Sequence, residues 1–215
     1  FISENGYNGI KLSESSSNNI VNNEVLRNDF GIAIKSSSDR NTIKDNDITN
    51  SSYSDGVHLS KSDENIIENN VISKNDGDGI SLYEANITKI ENNTVTSNKE
   101  GGSFLMNGVS GILIYGCRDT TLRFNQMVNN SVVLKGNKEI EWNSHVIDTS
   151  NTVNDKPVRY LKDETGVTVP SGAGQVILAC CTDMTVENQD ISKATIPIEL
   201  GFTDSSLIRG NYLEK

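Results

Sequence analysis

Aliphatic residues recur along the chain in short alternating runs that are separated by residues typical of turns. One repeated element is a glycine, an aliphatic residue, any residue and a second aliphatic residue. It begins at Gly9, Gly31, Gly56, Gly79 and Gly111, and copies without the glycine follow at 132–134, 175–178 and 197–200. Aliphatic residues two positions apart are typical of a β-strand with one buried face, and no stretch shows the 3.6-residue period of a helix. The pattern therefore predicts many short strands.

A second element follows each glycine element after about eight residues. It reads Asn-x-Ile-x-x-Asn-x-Val-x-x-Asn, with its clearest copies at Asn18, Asn41 and Asn65, and degraded copies continue towards the end of the chain. The two elements together form a unit of about 23 residues. The last aliphatic residue of the first element falls at positions 12, 34, 59, 82, 114, 134, 178 and 200. The double interval between 134 and 178 predicts one divergent coil near residue 156.

Strands this short cannot bury a face alone, but stacked equivalent coils bury a continuous inner column. We therefore predict an all-β, single-stranded, right-handed parallel β-helix of about nine coils, because parallel crossovers are overwhelmingly right-handed. Residues 1–215 should form one β-helix domain, with irregular coils at about 99–110 and 144–175. Neither end shows a capping pattern, which indicates either a fragment of a longer solenoid or stacking on other copies through the coil ends.

The repeat also assigns positions to the asparagines and cysteines. The 28 asparagines are far more than average usage, and one set shares a slot in which side-chain amides can form a hydrogen-bonded ladder. That slot holds Asn23, Asn46, Asn70, Asn93, Asn125 and Asn143. A second slot is expected at a tight corner of the coil, where only a small residue fits. It holds Ser15, Ser38, Ser62, Ala85, Cys117 and then Cys181. Cys117 and Cys181 are therefore expected about three coils apart, too far for a disulfide, with Cys180 partly exposed.

Charge and composition exclude several functions. The net charge of −10 repels nucleic acid and anionic lipid, and no run is apolar enough to insert into a membrane. With 2 His, 3 Met and 3 Cys the chain has few soft metal ligands, and no cofactor is expected. Four glycosylation sequons begin at Asn50, Asn86, Asn92 and Asn129, about as many as this composition gives by chance.

Coils of this form resemble the NosD-type β-helix repeats of carbohydrate-binding proteins and sugar hydrolases. The segments 154–161 and 169–178 are similar to stretches in archaeal, especially methanogen, surface proteins. The resemblance covers essentially the whole chain and implies an exported or cell-surface location. The family name implies copper handling, but the His and Met clusters that copper would need are missing. We also find neither the acidic and basic constellation of pectate lyases nor the His-containing motif of alginate epimerases.

Functional sites on solenoids lie on an outer face, beside loops that interrupt the repeat. The interval from 82 to 114 is the longest single coil, and its extra residues lie around 99–108. Tyr83 and Tyr115 should be neighbours where this loop meets the outer face. Exposed tyrosines offer apolar ring faces with hydroxyl groups, a common platform for sugars. We therefore predict a carbohydrate-binding site of Tyr83, Tyr115 and Phe104.

Carboxylates precede two of the glycine elements. Asp55 and Asp78 should lie about one coil apart, with His58 on the adjacent strand and Asp76 nearby. Two carboxylates at suitable spacing would serve a glycosidase, and Asp76 with Asp78 would suit Ca²⁺. Ordinary Asp-Gly turn chemistry explains the same residues, and His58 alone is more typical of a solvated surface residue. A groove on which Asp55 and Asp78 converge would favour catalysis.

Three functions remain open. The leading hypothesis is a non-catalytic extracellular or cell-surface segment that is structural or binds a polysaccharide or cell-envelope glycan. The second is a glycoside hydrolase or polysaccharide lyase that uses the surface carboxylates. The third is a self-assembling surface-layer or filament component.

Overall fold

The computed structural model describes residues 1–98 and 109–214, and the regular secondary structure of this part is almost entirely β-strand, with one four-residue helix. Three parallel sheets run along the first six coils, and each strand pairs with the equivalent strand of the next coil. Tyr83, for example, lies opposite Ser60 on one side and Tyr115 on the other. The predicted all-β parallel solenoid of about nine coils is confirmed.

The strands of each sheet are equivalent segments of successive coils. Sheet A contains β1 (Ile2–Ser3), β4 (Glu24–Leu26), β7 (Asp47–Thr49), β10 (Val71–Ser73), β13 (Thr94–Thr96), β16 (Gln126–Val128) and β19 (Thr152–Val153). Sheet B contains β2 (Asn8–Ser13), β5 (Phe30–Lys35), β8 (Val57–Ser60), β11 (Ile80–Tyr83), β14 (Ile112–Tyr115) and β17 (Val132–Lys135). Sheet C contains β3 (Asn19–Val21), β6 (Thr42–Lys44), β9 (Ile66–Glu68), β12 (Lys89–Glu91), β15 (Thr121–Arg123) and β18 (Val146–Ile147).

The repeated aliphatic positions form the core of this six-coil stack. In sheet B the inward residues include Ile32, Ile34, Val57, Leu59, Ile80, Leu82, Ile112 and Ile114, all fully buried. Sheet C contributes Ile43, Ile67, Ile90 and Leu122, and sheet A contributes Ile48, Ile72, Val95 and Met127. Each buried side chain of this size stabilises the fold by roughly 1.5–3 kcal/mol. Stacking therefore supplies the buried apolar surface that a single short strand cannot provide.

The asparagine ladder forms at the corner between sheets C and A. Asn70 shows the arrangement: its amide nitrogen Nδ2 donates to the carbonyl of Ile43, to that of Glu68 and to Oδ1 of Asn93, each at 3.0 Å. Its own Oδ1 accepts the backbone N–H of Asn46. These bonds satisfy backbone groups at the bend, where burial without a partner would be costly. The residues at 22, 45, 69, 92 and 124, which precede the first five ladder asparagines, adopt a positive φ, a conformation that asparagine tolerates.

The ladder differs from the prediction at its last position. Asn143 lies in the short helix α1 (Ile140–Asn143), and its side chain donates to Asp163. Asn151 takes the ladder position instead, and its Oδ1 accepts from Asn125. The assignment of Asn143 was wrong because α1 extends the preceding turn, so that Ile147 rather than Ile140 pairs with Leu122.

The chain reverses direction after the sixth coil. Strand β19 pairs antiparallel with β20 (Lys156–Lys162), the divergent coil expected near residue 156. Parallel stacking then resumes through β21 (Gln175–Ala179) and β24 (Ile198–Gly201), with β22 (Thr185–Glu187) beside β25 (Leu207–Arg209) and β23 (Asp190–Ser192) beside β26 (Tyr212–Glu214). We call these last three coils the terminal unit. Sheet B ends at β17 and does not continue into the terminal unit.

The terminal unit covers the end of the six-coil stack. All five residues of β21 are buried: Ile177 and Ala179 belong to the core of the first stack, and Val176 and Leu178 belong to a second, smaller core. Side chains replace a further strand along the free edge of β17, where Gln175 both donates to and accepts from the backbone of Val132. A cap for this end of the stack is therefore present, although no sequence pattern indicated it.

The cysteines are free thiols. Cys117 is buried at the small-residue corner, where its Sγ accepts the backbone N–H of Ala85 at 3.3 Å. Cys181 is buried in the second core, and its backbone N–H donates to Oγ1 of Thr203. It therefore does not extend the column of Cys117. Cys181 nevertheless occupies the predicted kind of small-residue corner, since its Sγ contacts the carbonyl two residues earlier just as that of Cys117 does; only its place in one continuous column was wrong. Cys180 has intermediate exposure, as expected.

Candidate functional site

The outer face of sheet B carries a row of rings on four successive coils. Phe30, His58, Tyr83 and Tyr115 follow one another with ring centroids 5.6, 5.4 and 5.5 Å apart. We call these four residues the aromatic column. Only Tyr83 and Tyr115 are register partners, whereas His58 lies opposite Ala33 and Ser81, so the row crosses sheet B obliquely. Lys35 lies at one end, with its Nζ 4.9 Å from the centre of the Phe30 ring.

The structure brings Tyr83 and Tyr115 together in register, as expected, but with a different ring geometry. Their planes are inclined by 61°, an edge-to-face contact rather than a flat stack. Tyr115 is the more open, with 38% of its surface exposed, whereas Tyr83 is partly buried. Burial, reinforced by the charges of Asp55 and Asp78, raises the pKa of Tyr83 to about 12. Phe104 lies outside the described residues.

A hydrogen-bonded cluster of Asp55, Ser81 and His58 shares His58 with the aromatic column. The hydroxyl of Ser81 donates to Oδ2 of Asp55 at 2.6 Å, and Nδ1 of His58 lies 2.8 Å from the Ser81 hydroxyl oxygen and 3.2 Å from Asp55 Oδ2. The other oxygen of Asp55, Oδ1, accepts the backbone N–H of Asp78 at 2.9 Å. Both oxygens of Asp55 are thus engaged within the protein.

This cluster determines the tautomer of His58. Because the single hydroxyl proton of Ser81 goes to Asp55, Nδ1 of His58 must carry a proton to donate to the Ser81 oxygen and to Asp55. In the neutral ring the second nitrogen, Nε2, is then an acceptor. The His58 side chain is 14% exposed and is held between Phe30 and Tyr83. The expectation of a freely solvated surface histidine was therefore wrong.

The two remaining acidic candidates lie in different surroundings. Oδ1 of Asp78 accepts the backbone N–H of Ser110 at 2.5 Å, and burial together with the charge of Asp55 raises the pKa of Asp78 to about 7. Asp76 instead lines a separate polar pocket of about 380 Å³ with Lys74 and Ser97. The structure thus joins Asp55, His58 and Asp78 in one neighbourhood and places Asp76 outside it.

Two members of the site were not predicted. Phe30 begins the aromatic column, and Ser81 links Asp55 to His58. Both could have been found by writing the coils one above another: Phe30 occupies the slot of Asp55, and Ser81 lies opposite His58 in the next coil. The short polar residue at 81 is the signal, because it faces an aspartate and a histidine three residues apart in the preceding coil.

Metal ligands are scarce in the part of the chain that the structure describes. Across residues 1–98 and 109–214, no three His, Cys, Asp or Glu side chains are grouped to hold a metal ion. The proposed Ca²⁺ pair of Asp76 and Asp78 is divided between two surroundings, as described above. Within the same ranges, no helix has the length and apolar character of a membrane-spanning segment.

A family model identifies the repeat. The model for the periplasmic copper-binding protein NosD matches residues 2–160, about three quarters of the chain. The chain belongs to the NosD family. The match ends within β20, close to the reversal, so the terminal unit lies beyond it. No curated protein matches the chain. The resemblance to archaeal surface proteins stays a prediction.

Copper does not fit the side chains present. One of the two histidines, His145, is fully buried and bonded to the backbone of Thr120 and Glu141. The other, His58, uses Nδ1 within the cluster described above. Cys117 and Cys181 are buried in separate units, and Cys117 has a raised pKa because of its burial. These residues do not form the soft ligand set that copper prefers.

Solved structures show the same fold at low sequence identity. A mutant form of the periplasmic alginate epimerase AlgG aligns with a TM-score of 0.59 and 20% identity over 99% of this chain. An alginate lyase from Paenibacillus sp. str. FPU-7 aligns with a TM-score of 0.51 and 14% identity over 98% of this chain. The chain spans 43% of the length of the epimerase and 75% of that of the lyase.

Proposed function

We propose that this NosD-family chain is an extracellular or cell-surface segment that binds a polysaccharide along the outer face of sheet B. The observation that supports the proposal is the aromatic column, in which four rings on four successive coils form one oblique row across sheet B. The ring centroids are 5.4–5.6 Å apart, so the column presents a continuous row of rings, most exposed at Tyr115, to an extended chain. A polymer of similar units suits such a surface better than a compact small molecule does.

The residues around the column support a sugar ligand in particular. Tyr115 presents an exposed ring with a hydroxyl group, and Nε2 of His58 is an acceptor, so apolar contact and hydrogen bonding are available side by side. Solved proteins with this fold include an alginate epimerase and an alginate lyase, both of which act on a polysaccharide. The acidic net charge argues against nucleic acid as the extended ligand.

A glycan array with purified protein tests the proposal. We expect wild type to bind a subset of polysaccharides, and the double variant Tyr83→Ala/Tyr115→Ala to lose at least about tenfold in affinity, since two aromatic contacts are removed. Tyr212→Ala is the matched control because Tyr212 is an exposed tyrosine of the terminal unit, far from sheet B. Equal binding by wild type and the double variant, or no binding by either, contradicts the proposal.

A second candidate function is an enzyme acting on the same polysaccharide, and the Asp55–Ser81–His58 cluster favours it. The cluster engages Nδ1 of His58 and leaves Nε2 as the ring nitrogen that would act as a general base, and burial raises the pKa of Asp78 to about 7, as an acid partner requires. A pair of free carboxylates is not favoured, since both oxygens of Asp55 are already bonded. The candidate reactions are lyase or hydrolase cleavage of the chain.

Incubation with cell-envelope polysaccharides, followed by assays for new reducing ends and for unsaturated products, tests the enzyme. His58→Gln should abolish product formation, whereas Asp76→Asn should leave it unchanged because Asp76 lies in another pocket. Activity that persists in His58→Gln would remove this candidate. Stacking of copies through the coil ends stays a separate prediction, and a clean monomer in light scattering would contradict it.

A further inference from the structure

A groove of about 610 Å³ lies beside the aromatic column, at the turns that connect sheet B with sheet C. In the third to fifth coils these turns are short, but in the sixth coil the connection expands into 136–145 and includes α1. The expanded turn forms a wall over the turns of the preceding coils. Tyr115 lines the groove and also ends the aromatic column, so the two surfaces are continuous.

The charges that line the groove are balanced. Three cationic and three anionic side chains contribute to it: Lys61, Arg118, Lys138, Asp63, Glu84 and Glu141. Opposite charges of equal number leave little net potential, so neither a polyanion nor a polycation gains much by entering. This balance contrasts with the chain as a whole, whose net charge is −10.

Contacts within the groove keep its acidic groups engaged. Glu84 lies 3.9 Å from Lys61, and Glu141 lies 3.6 Å from Lys138. Asp63 accepts both the backbone and the side-chain N–H of Asn86 through Oδ1. Part of the hydrogen-bonding capacity of these side chains still faces the groove.

Donors and acceptors therefore alternate over a short distance. Lys61, Lys138 and the guanidinium of Arg118 donate, whereas the carboxylates accept. A sugar hydroxyl both donates and accepts, so a ligand rich in hydroxyl groups matches such a lining. Apolar surface is limited to the ring of Tyr115 and the side chain of Ile140, which is 47% exposed. One aromatic ring among polar groups suits a pyranose ring better than an apolar ligand.

We propose that this groove is a binding subsite for a neutral oligosaccharide, which continues from the aromatic column past Tyr115 and against the wall formed by α1. The inference rests on the proposed polysaccharide-binding function and specifies the uncharged character of the segment bound in the groove. Arg118 is its main hydrogen-bond donor, and Ile140 limits its width.

Isothermal titration calorimetry with a series of neutral oligosaccharides of increasing length tests the subsite. Wild type should bind longer oligosaccharides more tightly, because they reach from the column into the groove. Arg118→Ala and Ile140→Trp should each lower the affinity for the longest member by about tenfold or more, the first by removing charged hydrogen bonds and the second by filling the groove. Both should leave the shortest bound member unaffected.

Matched controls separate the groove from general effects. Arg27→Ala removes an exposed arginine whose partner Glu4 is far from the groove, and Val146→Trp places the same bulky ring on the outer face of sheet C. Both should bind as wild type does. Charged oligosaccharides of the same lengths should gain no affinity with length if the groove selects uncharged segments.

The outcomes distinguish the subsite from the aromatic column. If Tyr83→Ala abolishes binding while Arg118→Ala and Ile140→Trp bind every length as wild type does, the groove proposal is overturned and the column stands. If the groove variants lose affinity but Tyr83→Ala does not, the groove stands and the column fails. A wild type that binds no neutral oligosaccharide overturns the groove, whatever charged glycans bind to the column.

Discussion

Glu199 joins the two units of the fold through a buried carboxyl group, and its replacement by glutamine should stabilise the protein at alkaline pH. Its Oε2 accepts the backbone N–H of Leu134 at 3.2 Å on the free edge of β17, and the residue is only 8% exposed. Burial raises its pKa from 4.5 to about 7, with Lys135 opposing the shift. Gln175 makes the equivalent contact to Val132 with a neutral amide.

The size of the effect follows from this shift. A rise from 4.5 to about 7 means that the folded chain binds the proton more tightly than the unfolded chain does. The stability contributed by the protonated group is complete below about pH 4.5 and is lost as the pH rises to about 7. Each pKa unit corresponds to 1.36 kcal/mol, so the loss is about 3 kcal/mol. Glu199→Gln keeps an oxygen acceptor for Leu134 and carries no charge at any pH, so it should avoid this loss.

Urea unfolding at pH 5 and pH 8 measures the difference. Trp142 is the only tryptophan of the chain and packs in the core of the first stack, so its fluorescence reports on the junction. Glu199→Gln should exceed wild type by about 3 kcal/mol in the free energy of unfolding at pH 8 and by much less at pH 5. Glu24→Gln, at an exposed glutamate of sheet A, should show no such difference. An identical pH dependence for wild type and Glu199→Gln would refute the reasoning.

Three further predictions concern the scaffold. Asn70→Ala removes several buried hydrogen bonds of the ladder and should cost about 3–5 kcal/mol of unfolding free energy, against less than about 1 kcal/mol for the exposed Asn19→Ala, measured by urea unfolding. Gly201→Ala should lower the melting temperature because its new Cβ would lie 2.1 Å from the Trp142 ring, whereas Gly6→Ala meets no atom within 4 Å and should not. Native Cys117 should resist alkylation at pH 8, since burial hides the thiol and raises its pKa to about 11. Mass spectrometry after alkylation with and without urea checks this, and rapid labelling of the native protein would contradict it.

Much of the fold was predictable because the length and the alternation of the repeat indicate stacked short strands. Ile43, Ile67 and Ile90 recur at intervals of 24 and 23 residues, and a near-constant interval with a two-residue alternation allows little besides stacked strands. The reversal after β19 was not predictable from spacing, because two coils in a new direction give the same interval of 44 residues between positions 134 and 178 as two coils in the old one. The spacing of the repeat does not indicate whether successive strands run parallel or antiparallel.

The candidate site was only partly predictable for a related reason. Equivalent positions predicted that Tyr83 and Tyr115 would be neighbours, and the register agrees. The contact of His58 with Ser81 depends on how side chains orient across coils rather than on which coil they occupy. The groove depends on α1, whose four residues are too short to leave a helical period in the sequence.

Because β21 is shared by two cores, the reversal also sets where the number of coils can change over evolution. A coil duplicated or deleted between β4 and β16 meets the same neighbours above and below, so the six-coil stack can lengthen or shorten by whole units at little cost. The last coil before the reversal has no such freedom, since its edge must match Gln175 and Glu199. Related chains of different length should therefore vary before β19 and keep the junction, so that the length of the binding surface can evolve separately from its cap.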